Sequence, residues 1–203
     1  LKQKPENRTF TLVDVGVGFG RTFLYVDAAG IGDRFEMIGI DIDPTRKNDV
    51  YASPLWNIRQ GDAQERLQFA DSSVDVVVSE QLLEHLDYPG NLITEVHRIL
   101  KPGGLFICGV PIFPRPIAKI RRWLVRHYGL RGSEHVQTYT LHSIRGDLAE
   151  YFDEVACRGF RIVSGGLLRQ LENYEWWYRF NRRLGEWLPG LCIEVQLIVV
   201  PKK

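Results

Sequence analysis

An α/β fold built on a mainly parallel sheet is predicted by three observations. Short apolar runs alternate with helical patterns along the chain, and a glycine-rich loop follows the first of those runs. The run from Val74 to Ser79 is continuous in β-branched residues, as befits a strand buried on both faces and central in the sheet.

Each element follows from its residues. Phe10 to Val15 reads as strand one, Arg21 to Ala29 as a helix, Met37 to Asp41 as a strand, Pro44 to Tyr51 as a short helix and Trp56 to Gln60 as a third strand. After the Val74 strand, the apolar positions Leu92, Val96, Ile99 and Leu100 share one face of a helix. Lys101-Pro102-Gly103-Gly104 is expected to end it, with a cation, a breaker and a left-handed glycine. Leu105 to Val110 is the next strand. Pro114 and Pro116 open a helix with an apolar stripe of Ile117, Ile120, Leu124 and Tyr128, and Thr140 caps another with Leu141, Ile144 and Leu148 inward. Two late strands, Phe160 to Ser164 and Leu191 to Val200, flank an aromatic-rich segment.

Composition narrows the class. At 203 residues the length favours one domain, 1–203, with elaborations at 111–139 and 166–190. With 44% hydrophobic and 25% charged residues, and no apolar run as long as a membrane span, the chain reads as globular. Its 26 basic and 25 acidic side chains leave a net charge of +1, which gives no whole-chain argument for nucleic acid. Cys108, Cys157 and Cys192 are widely spaced and odd in number, so a reducing cytosol is expected and no structural metal.

The loop VDVGVGFGR places Asp14, Gly16, Gly18 and Gly20 at D-x-G-x-G-x-G spacing, where glycines permit a tight turn and close approach of a ligand to the main chain. A nicotinamide fingerprint would need its third glycine at position 21, which is Arg21. Asp41 ends strand two 25 residues past Gly16, close to the spacing at which a carboxylate accepts from a ribose diol. Asp62, in a Gly61-Asp62-Ala63 turn, can accept from an exocyclic amine. Three carboxylates at the ends of adjacent strands would share one crevice and suit ribose, adenine and a cationic group. Any one of them taken alone reads equally as a cap or turn former.

These residues resemble the class I S-adenosylmethionine-dependent methyltransferases, in the small-molecule branch that includes quinone and sterol methyltransferases. VDVGVGFGR is similar to the family's first motif, GIDID to its ribose strand, GDA to its adenine turn, VDVVVSEQLLEHL to its fourth-strand motif and LKPGG to the turn before strand five. The resemblance implies a Rossmann-like three-layer sandwich with strand order 3-2-1-4-5-7-6 and an antiparallel last strand. It implies S-adenosylmethionine as cofactor and S-adenosylhomocysteine as product. Gly16, Gly18 and Gly20 would pack against the methionyl part and Asp14 would reach its ammonium. Asp41 would hold the ribose, Ile42 would line the adenine, and Asp62 with Ala63 would read its edge. Ser79 and Glu80 would border the reacting methyl group. The family commonly carries helices before strand one that close over the cofactor, and the residues ahead of Phe10 leave little room for them.

Transfer to an alcohol or phenol needs a general base, and His135 is the first candidate, followed by His85 with Glu84; Glu80 could orient the acceptor. The stretch after strand four lacks an Asn/Asp-Pro-Pro-aromatic pattern and no Pro-Cys dipeptide occurs, so nucleic acid falls in rank as acceptor. Between Arg115 and Arg131 stand six cations and no acid, a patch suited to an anionic acceptor or to peripheral contact with a membrane. Trp176, Trp177, Tyr178 and Phe180, mixed with Arg179, Arg182 and Arg183, suit core packing, an apolar acceptor pocket, a membrane interface or a homodimer contact. The expected activity is methyl transfer to a small-molecule or lipid-linked acceptor, at oxygen or carbon. The alternative is a catalytically silent subunit that binds S-adenosylmethionine and supports a partner.

Overall fold

The structure, a computed structural model, describes residues 9–43, 56–128, 136–162, 171 and 173–202. Seven strands form one sheet: β1 (Phe10–Val15), β2 (Phe35–Asp41), β3 (Trp56–Gln60), β4 (Val74–Glu80), β5 (Leu100–Pro111), β6 (Phe152–Phe160) and β7 (Glu194–Pro201). Their order is β3-β2-β1-β4-β5-β7-β6. Strands β1 to β5 run parallel, while β7 is antiparallel to both β5 and β6. Five helices are described: α1 (Arg21–Ala28), α2 (Pro89–Ile99), α3 (Arg115–Tyr128), α4 (Leu141–Ala149) and α5 (Glu175–Trp187). The helix expected over Pro44 to Tyr51 lies outside the described residues.

Alternation along the strands divides the core in two. Val13, Ile38, Val77, Phe106 and Leu197 face α2 and α4 in the larger apolar cluster, whereas Leu12, Met37, Trp56 and Val78 face α1 in a smaller one. Strand β4 sits fourth of seven, and Val74, Val77 and Val78 are buried, which answers the β-branched run in its sequence. Helix α4 begins as its sequence indicates. The Thr140 hydroxyl accepts from Ser143 N–H at 3.0 Å and Ser143 Oγ accepts from Thr140 N–H at 2.9 Å, leaving Ile144 and Leu148 buried.

Four expectations are corrected. Lys101 to Gly104 does not stop a helix, because α2 ends at Ile99 and Leu100 is already extended. The Pro-Gly-Gly stretch lies inside β5, opposite a register shift between Val74 and Val76, with Gly103 at φ 79°. The sixth strand is Phe152–Phe160, ending where the expected Phe160 to Ser164 begins, and positions 163 and 164 lie outside the described residues. It is an edge strand whose Asp153, Glu154 and Arg158 are exposed and whose bulge after Glu154 breaks the alternation. The seventh strand starts at Glu194, since Pro189–Leu191 turns as a short 3₁₀ segment. Finally, Ile117 and Ile120 of α3 point outward; the buried side of that helix is Ala118, with Arg121 bonded to the Thr138 hydroxyl and lying over the Phe113 ring.

Candidate active site

A cleft opens at the carboxyl ends of β1, β2 and β4, where strand order reverses on either side of β1. The three glycines of the first loop all have left-handed backbone, with φ of 79° at Gly16, 55° at Gly18 and 71° at Gly20. A side chain at Gly16 would also meet Leu82 at 3.0 Å. Strand β2 anchors this loop: Gly16 N–H donates to the Ile40 carbonyl at 2.7 Å and Gly18 N–H to Asp41 Oδ2 at 2.9 Å. The other Asp41 oxygen accepts from Asp43 N–H at 3.0 Å. Asp41 therefore fixes the loop as well as facing the cleft, a role its position at a strand end did not announce.

Asp14 is only 3% exposed beneath the loop and bonds the Thr22 side chain. Burial, aided by the charges of Glu80 and Asp41, pushes its carboxyl up to about 7. Asp62 Oδ1 accepts from Gln64 N–H at 2.8 Å, the turn-forming bond, and its neighbour Ala63 is buried. Ile42 is exposed on the cleft wall. Ser79 is completely buried, opposite Cys108 in the β4–β5 pairing, and its hydroxyl has no partner among the described residues.

Glu80 projects into the cleft from the end of β4, where Gln196 Nε2 donates to its Oε1 at 2.7 Å. Gly109 makes room for it, since a Cβ there would stand 1.9 Å from Glu80 Oε2. Burial raises this carboxyl, and the Gln196 bond opposes the rise. A short 3₁₀ turn, Leu83–His85, then carries Glu84 inward until it is wholly buried, with neither carboxylate oxygen bonded among the described residues. Burial pushes the Glu84 carboxyl up to about 7. His85 lines the cleft with Nε2 at 3.9 Å from Glu84 Oε1. His135 lies outside the described residues; Gln137 N–H donates to the Glu84 carbonyl at 2.9 Å.

The sequence reading missed Gln81, a non-glycine residue at φ 54° between Glu80 and Leu82. Its N–H donates to the Gly109 carbonyl at 2.8 Å, and no sequence signal marks such strain. It also missed that α5 walls the cleft through Trp177, Asn181 and Arg182. Core packing fails for most of the late aromatics: Trp176, Tyr178, Phe180 and Trp187 are exposed. Among the described residues no group of three His, Cys, Asp or Glu could hold a metal ion.

A buried acid beneath a glycine loop, a second carboxylate closing that loop and the Asp62 turn on the cleft wall fit a ligand with a cationic amine, a ribose and a base. Comparison with known proteins agrees. Residues 13–108 match the family model described as a methyltransferase domain. An uncharacterised methyltransferase of Mycobacterium tuberculosis (strain ATCC 25618 / H37Rv) is 33% identical over 123 residues, 59% of this chain and 46% of that one. One from Mycobacterium marinum is 29% identical over 194 residues, 88% and 72% of the two chains. The chain thus spans about half the length of the first curated relatives it matches. In fold it resembles an S-adenosylmethionine-dependent methyltransferase from Mesorhizobium loti, with a TM-score of 0.63 at 17% identity over 98% of this chain and 94% of that one. It also resembles a candidate methyltransferase from a complex with the Haloferax volcanii Trm112 methyltransferase activator. There the TM-score is 0.66 at 19% identity, over 99% and 86%.

Proposed function

We propose that the chain carries a class I S-adenosylmethionine-dependent methyltransferase domain and that it transfers a methyl group to a small-molecule or lipid-linked acceptor, at oxygen or carbon. The observation that carries this reading is Asp14, a carboxyl buried under three left-handed glycines and held near pH 7, where a cationic amine would draw it into its ionised form. In this reading Gly16, Gly18 and Gly20 hold the methionyl part and Asp41 the ribose, while Ile42, Asp62 and Ala63 hold the adenine and Glu80 borders the reacting end; Ser79, expected there too, is wholly buried in the sheet and does not line the cleft. When bound, the cofactor supplies a methyl group on a sulfonium that leaves as a neutral thioether. The chain's own contribution is positioning, which can account for about 7–11 kcal/mol of a barrier, and removal of a proton where the acceptor is a hydroxyl.

His85 is the described residue best placed for that proton. It lies on the cleft wall, with its Nε2 3.9 Å from Glu84 Oε1. Glu80, fixed by Gln196, orients the acceptor. His135 stays a candidate for the base on its sequence position. Titration calorimetry tests the cofactor reading: S-adenosylhomocysteine should bind to the wild type and at least tenfold more weakly to Asp41→Ala, with no binding of a nicotinamide dinucleotide. Equal binding to the two proteins, or tight dinucleotide binding, overturns the reading. The second reading, a silent subunit that supports a partner, draws on the neighbour found with an activator. Turnover of labelled methyl donor with an extract of metabolites and lipids separates the two.

A further inference from the structure

Helices α3 and α5 rise from the same rim of the sheet. Helix α3 follows the end of β5, where Pro111 pairs with Glu194, and α5 fills the connection between the end of β6 and the start of β7, where Phe160 pairs with that same Glu194. Both helices present large apolar side chains to solvent. On α3 these are Ile117, Ile120 and Trp123, exposed by 51%, 60% and 50%, with Trp123 stacked on His127. On α5 they are Trp176, Phe180 and Trp187, spaced by four and seven residues so that they form one stripe, with Trp187 83% exposed.

Cations accompany these apolar side chains on both helices. Arg115, Lys119 and Arg122 of α3 are exposed on an arc beside the one holding Ile120 and Trp123, and α3 contains no acidic residue. Arg183 falls within the α5 stripe itself. Inward, α5 is held by Gly185 against the Gly159 main chain, so the outward stripe is fixed by packing.

We propose that this two-helix rim is a docking surface for a lipid bilayer bearing anionic headgroups, with Trp123, Trp176 and Trp187 seated at headgroup depth and Ile117 and Ile120 below it. Three features favour a bilayer over other partners. Exposed isoleucines have no use against phosphates and bases, where stacking rings and cations suffice. A second copy related by two-fold symmetry would bring the all-basic α3 against itself, which charge complementarity disfavours. Aromatic rings and long cationic side chains around an aliphatic patch match the graded polarity of an interface, where apolar burial and attraction to anionic lipid act together. None of the described helices is long and apolar enough to cross a membrane, so the contact lies in the interface plane. Because α5 also walls the cleft through Trp177, Asn181 and Arg182, docking would set the cleft mouth beside the lipid.

Sedimentation of the whole chain with vesicles tests this without any turnover, so its result is independent of the transferase reading. The wild type should sediment with vesicles of phosphatidylcholine and phosphatidylglycerol in equal parts and stay free with phosphatidylcholine alone. Raising salt to 0.5 M should weaken the binding. The pairs Ile120→Asp with Trp123→Asp, and Trp176→Asp with Trp187→Asp, should each lower partition on the order of tenfold or more while keeping the wild-type melting temperature and S-adenosylhomocysteine binding. Should these variants fail to fold, quenching of wild-type tryptophan emission by brominated phosphatidylglycerol decides, and its absence overturns the proposal. So does wild type that stays free of anionic vesicles, or folded variants that partition unchanged. Binding to polyuridylate or a concentration-dependent dimer, found in place of vesicle binding, has the same force.

Discussion

Asp14→Asn isolates the electrostatic tension at the base of the cleft. In the folded protein the Asp14 carboxyl titrates near 7, against 3.8 when unperturbed. The folded form binds the proton more tightly, so the stability this group contributes is complete below about pH 4 and is lost as pH rises towards 7. The span of about 3 pH units corresponds to on the order of 4 kcal/mol, of which about 2–3 kcal/mol is expressed between pH 5 and pH 8. Asn cannot ionise and escapes this loss. Any fixed cost of burying its amide is the same at both pH values. Glu84, also near 7, is present in both proteins and cancels from their difference. Urea denaturation of both proteins without ligand at pH 5 and pH 8 should therefore show Asp14→Asn gaining about 2–3 kcal/mol relative to wild type across that interval. A cationic ligand favours the ionised carboxyl. Wild-type affinity for S-adenosylmethionine should accordingly fall by up to about tenfold from pH 7 to pH 6, a slope the variant lacks. Parallel stability curves for the two proteins would refute the burial argument, and parallel affinity curves would refute the pairing of Asp14 with a cation.

Other substitutions probe the frame around the site. Gly39→Ala puts a Cβ 2.5 Å from Val17 Cγ2, so the glycine loop must shift; denaturation should show a loss of about 1–3 kcal/mol, and calorimetry a weaker cofactor affinity. Gly185→Ala places a Cβ 2.0 Å from the Gly159 carbonyl oxygen, a backbone atom that cannot swing aside. It should cost at least about 2 kcal/mol and lower the protection of α5 amides in hydrogen exchange. Arg98 ties Glu95 and Asp71 to the Leu67 and Phe69 carbonyls, with donor distances of 2.6–3.0 Å. Arg98→Met should cost about 2–4 kcal/mol and lower the melting temperature by roughly 5–15 °C, leaving cofactor affinity in the surviving folded protein unchanged.

What the sequence made legible depended on how completely each segment is buried. Strand β1 begins and ends where its apolar run does and β4 extends its run by one residue, whereas β3, an edge strand with only Trp56 buried, keeps its expected bounds without such a run. Strand β6 has a neighbour on one side only, carries charges outward and contains a bulge that leaves Val155 exposed, so neither alternation nor a continuous apolar run survives to be read. Helix α3 misleads for a different reason. Its inner contacts use Ala118 and the Arg121 guanidinium, which hydropathy ranks below the outward isoleucines. At the site, Asp14, the glycines and Asp41 were legible because a strand end and a turn fix their spacing in sequence. The depth of Glu84 was not, since it depends on a single 3₁₀ turn that rotates one carboxylate of the Glu84-His85 pair inward and leaves the imidazole on the cleft wall.

The near-zero net charge conceals a division of labour that follows from these placements. Asp41 and Glu80 both raise Asp14, and Glu80 in turn raises Glu84, so the carboxylates along the cleft act on one another across β1, β2 and β4. Such a row is costly and is relieved by protons or by a cation, so a cationic ligand would lower its energy. Eight of the 26 cations stand on α3 and α5, and α3 carries no acid to offset its five. Among the cations that do line the cleft, Arg182 with them, Arg21 is close enough to lower Glu80. Spread along the row, the same basic side chains would neutralise the carboxylates and weaken the attraction for a cationic ligand. Held apart on α3, which has no acid of its own, five of them leave the row around Asp14 unneutralised and give that helix the opposite sign, so the row would favour a cationic ligand and the helix an anionic one.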